Sequence, residues 1–148
     1  MKIYMDVCCL CRPFDDHRET RIRLETEAIL SILKRCSLDW ELVMSTAILH
    51  EIGMISDPRR KGNILQLTDR SHEMVLVDNA LLSRAEEIEK TGVMGMDAVH
   101  IACAEKAGAI LLTTDDELIR IMKKNVTYTS IQIDNPLHWL IEVNPNGN

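Results

Sequence analysis

Aromatic side chains are scarce in this chain of 148 residues: one Phe, two Trp and two Tyr, 3% of the sequence. A platform that stacks successive bases on aromatic rings is therefore not expected. Proline and glycine are few, at four and six residues, and they gather into no linker or low-complexity stretch. No apolar run approaches the roughly 20 residues of a bilayer span, so no membrane association is expected. Met1-Lys2 leads directly into Ile3-Tyr4-Met5 and an acid, Asp6, which reads as a strand start and not as a signal peptide. The five cysteines are an odd number, three of them crowded into Cys8-Cys9-x-Cys11. That spacing serves a disulfide framework poorly, and reduced thiols in the cytoplasm are expected. An excess of positive charge is also lacking. Lys and Arg number 17 against 23 Asp and Glu, a net charge of -6, which is the wrong balance for a broad basic face that grips nucleic acid.

What is present is a globular composition, 46% hydrophobic and 27% charged. A domain of this length buries roughly 68–70% of its unfolded surface and needs neither disulfides nor a structural metal. One domain over residues 1–143 is expected, with a frayed tail over 144–148. Short continuous apolar runs suit strands buried on both faces: Ile3 to Val7, Leu42 to Met44, Met74 to Val77, Ala109 to Leu112 and Tyr128 to Ile133. Between them lie helical patterns. Ile22, Thr26, Ile29, Leu33 and Cys36 form one apolar stripe, with Glu25, Glu27 and Lys34 off it. Ser45 or Thr46 caps a helix through Ile48, Leu49 and Ile52. Further helices are expected over Ala80–Lys90, ended by Gly92, over Met96–Ala107, ended by Gly108, and over Glu117–Lys124. Asn135-Pro136 opens a last helix that docks through Trp139 and Leu140. Strand and helix alternate, so the fold class is α/β: a central parallel sheet flanked by helices in three layers.

Ligands gather outside the carboxyl ends of parallel strands, and this chain delivers acids there. Asp6 ends the first strand, Glu51 lies in the helix after the second, Asp97 begins the helix after Gly95, and Asp115-Asp116 follow the fourth strand. Their neighbours are apolar or hydroxylic: Met5, Val7, Ile52, Met96, Ala98, Thr113 and Thr114. Clustered carboxylates need a counter-charge, and an all-oxygen donor set selects a hard divalent ion, Mg²⁺ or Mn²⁺. Such an ion equips a site for phosphodiester hydrolysis. Acids at helix N-termini serve equally as caps and dipole partners, which is a complete account of Asp97, Asp115 or Asp116 taken singly. Asp6 resists it, because an acid between Met5 and Val7 in a buried strand is costly unless paired.

Ile3-Tyr4-Met5-Asp6, Ser45 through Glu51, Met96-Asp97-Ala98-Val99-His100-Ile101-Ala102 and Leu111-Leu112-Thr113-Thr114-Asp115 together resemble a PIN domain, in order and over nearly the whole chain. The resemblance implies an Mg²⁺- or Mn²⁺-dependent endoribonuclease, commonly the toxin of a VapBC-type toxin–antitoxin pair and often a homodimer. By position it implies Asp6, Glu51, Asp97 and Asp115 as catalytic acids. Asp6, Asp97 and Asp115 would hold the metal, with Thr113 and Asp116 in support. One position departs. The family often reads Asp-Thr-Asn or Asp-Ser-Asn at the first acid, where this chain reads Asp6-Val7-Cys8, and a thiol is a poor orienting group.

The five site acids account for most of the net -6, and the bases are grouped. Arg12, Arg18, Arg21 and Arg23, beside His17, are expected to contact RNA phosphates, which position a strand without reading its sequence. Arg59-Arg60-Lys61 and Lys123-Lys124 form two further groups. A phosphatase of the haloacid dehalogenase type would need an acid at Cys8, and a receiver domain would need a Lys ending the last strand; both fail. Zinc on Cys8, Cys9, Cys11 and His17 lacks the usual spacing. A Cys nucleophile paired with His50 or His100 is disfavoured, because both histidines sit in apolar helical patterns that suit core or cap roles. The rival from another class is a catalytically inactive PIN-like module that binds RNA or protein. Met54 and Ile55 are candidate interface residues.

Overall fold

The computed structural model describes residues 1–144, so all but the first residue of the expected frayed tail lies outside the described residues. Five parallel strands form one sheet in the order β3-β2-β1-β4-β5. They are β1 (Lys2–Met5), β2 (Glu41–Ser45), β3 (Glu73–Val75), β4 (Ile110–Leu112) and β5 (Ile133–Asp134). Tyr4 at the centre of the sheet stands opposite Val43 on one side and Leu111 on the other. Ile3, Tyr4 and Met5 are wholly buried, as strands covered on both faces require.

Eight α-helices surround the sheet among the described residues: α1 (Val7–Cys11), α2 (Thr20–Cys36), α3 (Thr46–Gly53), α4 (Pro58–Leu67), α5 (Asn79–Ile88), α6 (Met96–Ala107), α7 (Asp116–Lys124) and α8 (Pro136–Val143). Helix α2 packs on α8 and α5 on α6, while α3 touches both α1 and α6. The three-layer α/β arrangement and the parallel sheet match the expectation from the alternating pattern.

Several expectations need correction. The first strand stops at Met5, because Asp6 turns the chain by accepting the Cys9 N–H at 3.1 Å and capping α1, so Val7 is helical. The third strand ends at Val75, since the Val77 N–H leaves the sheet for the Thr46 hydroxyl at 3.0 Å. The last strand is only Ile133–Asp134; Tyr128 closes a turn onto the Asn125 carbonyl, and the Tyr128 carbonyl accepts from Arg84. Helix α4 carries the Arg59-Arg60-Lys61 group in its first turn, with Asp57 as N-cap and Pro58 at its first position. Glu25, placed off the apolar stripe of α2, is in fact buried. Met54 is exposed, whereas Ile55 packs against the core.

A candidate metal-dependent active site

The chain builds outward from β1 to β2 and β3, then returns to lay β4 and β5 on the other side. The reversal lies between β1 and β4, and in open parallel sheets that is where a crevice opens for ligands. Asp6 follows β1, and Thr113, Thr114 and Asp115 follow β4. The Asp6 N–H extends the ladder by donating to the Leu112 carbonyl at 3.3 Å. The Asp6 side chain is 6% exposed and fully paired. Its Oδ1 accepts the Cys9 N–H, and its Oδ2 accepts the Thr113 hydroxyl at 2.5 Å. Thr113 in turn accepts the Asp115 N–H at 3.1 Å. The hydroxyl therefore supports Asp6 through its side chain and Asp115 through its backbone.

Asp97 sits in the first turn of α6, which Gly95 opens with φ 61° and ψ -131°, a conformation favouring glycine. Asp115 caps α7, its Oδ1 accepting from the Glu117 and Leu118 N–H groups at 3.0 and 3.2 Å. The capping role open to Asp115 is thus real, and it engages one of its two carboxylate oxygens. Glu51 lies on α3 and pairs with His100 Nε2 on α6. His100 is buried, and its Nδ1 meets the Tyr4 hydroxyl at 2.6 Å; Tyr4 meets the Ser45 hydroxyl at 2.8 Å. Sequence reasoning placed His100 in the core but missed these bonds. The available signal was its position one helical turn after Asp97, on the same face.

The acids act on one another. Burial raises the Asp6 carboxyl above the usual range, with Asp97 adding to the shift while Thr113 and Cys9 oppose it. Burial also raises Asp97, followed by the charge of Asp115 and a smaller contribution from Glu51. A cleft of about 480 Å³ opens beside them, lined by residues that include Cys8, Arg12, Glu51 and Asp115. The Cys8 thiol is pushed up to about 12 by partial burial in the cleft, then by Asp6, Asp97 and Asp115. In the metal-free chain it stays protonated at neutral pH.

Hard oxygen donors on one rim, two of them with carboxyls raised mainly by burial, are the donor type that a divalent cation takes. No three of the rim acids, however, bring donor atoms within 4.8 Å of one another. Among the described residues only Asp134, His138 and Glu142 do so. The His138 ring there lies between two acids, 2.8 Å from Asp134 and 3.5 Å from Glu142, and Asp134 holds it above its ordinary pKa. That trio is accounted for as an ion-pair clamp between β5 and α8. The wider spacing on the rim suits an ion that keeps part of its water shell.

The remaining residues singled out from sequence have other partners. Asp116 faces away from the cluster, forming a two-pronged ion pair with Arg21 at 2.7 and 2.8 Å. Arg21 also donates to Glu25 at 3.1 Å, Arg12 donates to Glu25 at 2.9 Å, and Asn135 donates to it at 2.7 Å. Arg18 pairs with Asp16, and Arg23 donates to the His17 carbonyl at 2.8 Å. Of the four arginines, Arg12 lines the cleft. All five cysteines are free thiols, and Cys9, Cys36 and Cys103 are buried.

No curated protein matches the chain. Among solved structures, it is similar to a chain of VapBC2 from Rickettsia felis, bound to a DNA fragment from their promoter. That match has 13% identity and a TM-score of 0.62 and covers 91% of this chain and 98% of the other. FitAcB from Neisseria gonorrhoeae is similar at 16% identity and a TM-score of 0.58, covering 93% and 99%. FitAB bound to an IR36 DNA fragment matches at 16% identity and 0.57, covering 93% and 96%. These likenesses concern the fold. The family model of the PIN domain matches residues 3–124, spanning β1 to α7 and all the rim acids, and the chain belongs to the PIN domain family.

Proposed function

We propose that this protein is a divalent-metal-dependent endoribonuclease, its domain spanning residues 1–143. The observation that carries the reading is the placement of Asp6 and Asp115 after β1 and β4, either side of the sheet's reversal, with Asp97 raising the Asp6 carboxyl and Asp115 and Glu51 raising that of Asp97, each after the larger effect of burial. Asp6, Asp97 and Asp115 would hold Mg²⁺ or Mn²⁺, directly or through water. Bound there, the ion supplies an acidified water and polarises a phosphoryl oxygen. Thr113 keeps Asp6 in place, and Glu51 orients the attacking water and takes up its proton. Arg12, Arg18, Arg21 and Arg23 would line the approach of the RNA phosphates, with Arg12 nearest the acids. Asp116 supports the site indirectly, by fixing Arg21. The likeness to chains of VapBC2 and FitAB favours a toxin role with an antitoxin protein as partner; a cytoplasmic location and a homodimer complete the proposal.

Cleavage of a mixed RNA pool with Mn²⁺, Mg²⁺ or EDTA, beside Asp97→Asn, tests the reading. Cutting that requires metal and is lost in the variant is expected. Activity that survives both EDTA and Asp97→Asn would overturn it. The inactive binding module draws support from Cys8 at the orienting position and from the spread of the rim acids. It predicts no cutting, and no rise of melting temperature with Mn²⁺.

A further inference from the structure

We infer that His100 is a positioning residue for Glu51, held by a hydrogen-bond chain that runs back to the N-cap of Glu51's own helix. Ser45 Oγ accepts the Ile48 N–H at 3.1 Å. It also meets the Tyr4 hydroxyl at 2.8 Å. Tyr4 in turn meets His100 Nδ1 at 2.6 Å. The His100 Nε2–H donates to the Glu51 carboxylate.

The geometry makes the chain a brace. Ser45 ends β2 and caps α3, Tyr4 lies in the central strand, His100 belongs to α6, and Glu51 lies in α3 near its end. The loop of bonds therefore closes on itself through sheet and helix, and it fixes the Glu51 carboxylate relative to Asp97, one turn from His100. Tyr4, Ser45 and His100 are at most 3% exposed, so water does not compete for these bonds. Three buried polar groups in a core of Ile3, Met5, Ile48 and Ile101 are costly unless paired. A carboxylate held by one imidazole N–H, whose other nitrogen is held in turn, is the arrangement that orients ligands around metal sites, and its loss costs about 10–100-fold in activity.

The effect on rate rests on the nuclease reading above; the proton assignment does not. Long-range ¹H–¹⁵N spectra of the metal-free full chain should therefore show His100 protonated at Nε2, assigned by the signal lost in His100→Gln. A ring that carries its proton on Nδ1 alone would overturn the inference. In the RNA-cleavage assay, His100→Gln keeps a donor near the Nε2 position, whereas an Asn side chain at residue 100 is too short to reach Glu51. His100→Asn is expected to lose about 10–100-fold in kcat with little change in KM, and His100→Gln to recover most of it. Glu51→Gln combined with His100→Asn should be no slower than Glu51→Gln alone. Losses that multiply in the double variant would assign His100 to general core stability instead. A wild-type protein that cuts no RNA would refute the nuclease reading and leave the ring spectra to decide the brace.

Discussion

Asp97 carries a charge that folding makes harder to hold. Its folded pKa lies above the ordinary 3.8, through burial and then Asp115, so the folded chain binds the proton more tightly than the unfolded one. The sign follows: the stability linked to this group is full below about pH 4 and is lost as pH rises through the raised folded value. At pH 7 the metal-free protein therefore bears a penalty that Asp97→Asn removes. The variant is expected to melt higher than wild type at pH 7 and to lose that advantage near pH 3, measured by thermal denaturation in EDTA. Mn²⁺ should raise the melting temperature of wild type more than that of the variant. At this scale the sequence was informative where a side chain conflicted with its surroundings: Asp6, between Met5 and Val7, required partners and has them in Thr113 and Cys9. It was uninformative where a residue looked ordinary. Glu25 read as a solvated helix position, yet it is 1% exposed, because the arginines that hold it come from the preceding loop and its own helix and the asparagine from far along the chain.

Among the elements, α6 shows how local sequence and site are joined. Its span, Met96–Ala107, was readable from the two glycines that bound it, Gly95 at φ 61° and Gly108 at φ 67°. Open space surrounds both positions, so their requirement is conformational and not steric. Gly95→Ala is expected to cost about 1–3 kcal/mol and to shift the first turn that carries Asp97. Lower melting temperature together with weakened Mn²⁺ binding would show both effects, while Gly53→Ala, in an ordinary conformation, serves as the control. Helix α4 escaped the periodicity reading because only Ile64 is buried along it. Its Asp57-Pro58 start was nonetheless a legible cap signal. Strand β5 was overestimated because the apolar residues before it pack as an irregular segment.

For the whole molecule, Glu25 ties distant parts together. Arg12 from the turn after α1, Arg21 from α2 and Asn135 before α8 all donate to it, and Arg21 reaches on to Asp116 at the start of α7. Glu25→Gln gives up charge-assisted bonds and leaves two guanidinium groups without their buried partner. A loss of about 2 kcal/mol is expected, or roughly 4–8 °C in melting temperature, with cleavage reduced through displacement of Arg12. The sheet order was not legible, since no local pattern says on which side of β1 the fourth strand lies; the positions of the acids pointed to one rim regardless of it.

The two outermost strands have a consequence for assembly. β3 offers three residues and β5 two, so neither presents a long row of open amides onto which another chain could extend the sheet. Association with a second copy or with a partner is therefore expected to use surfaces other than the sheet edges. The outward amides of Glu73–Val75 and Ile133–Asp134 should then exchange with solvent at the same rate in the assembled and the isolated chain, and protection appearing there would reveal strand addition.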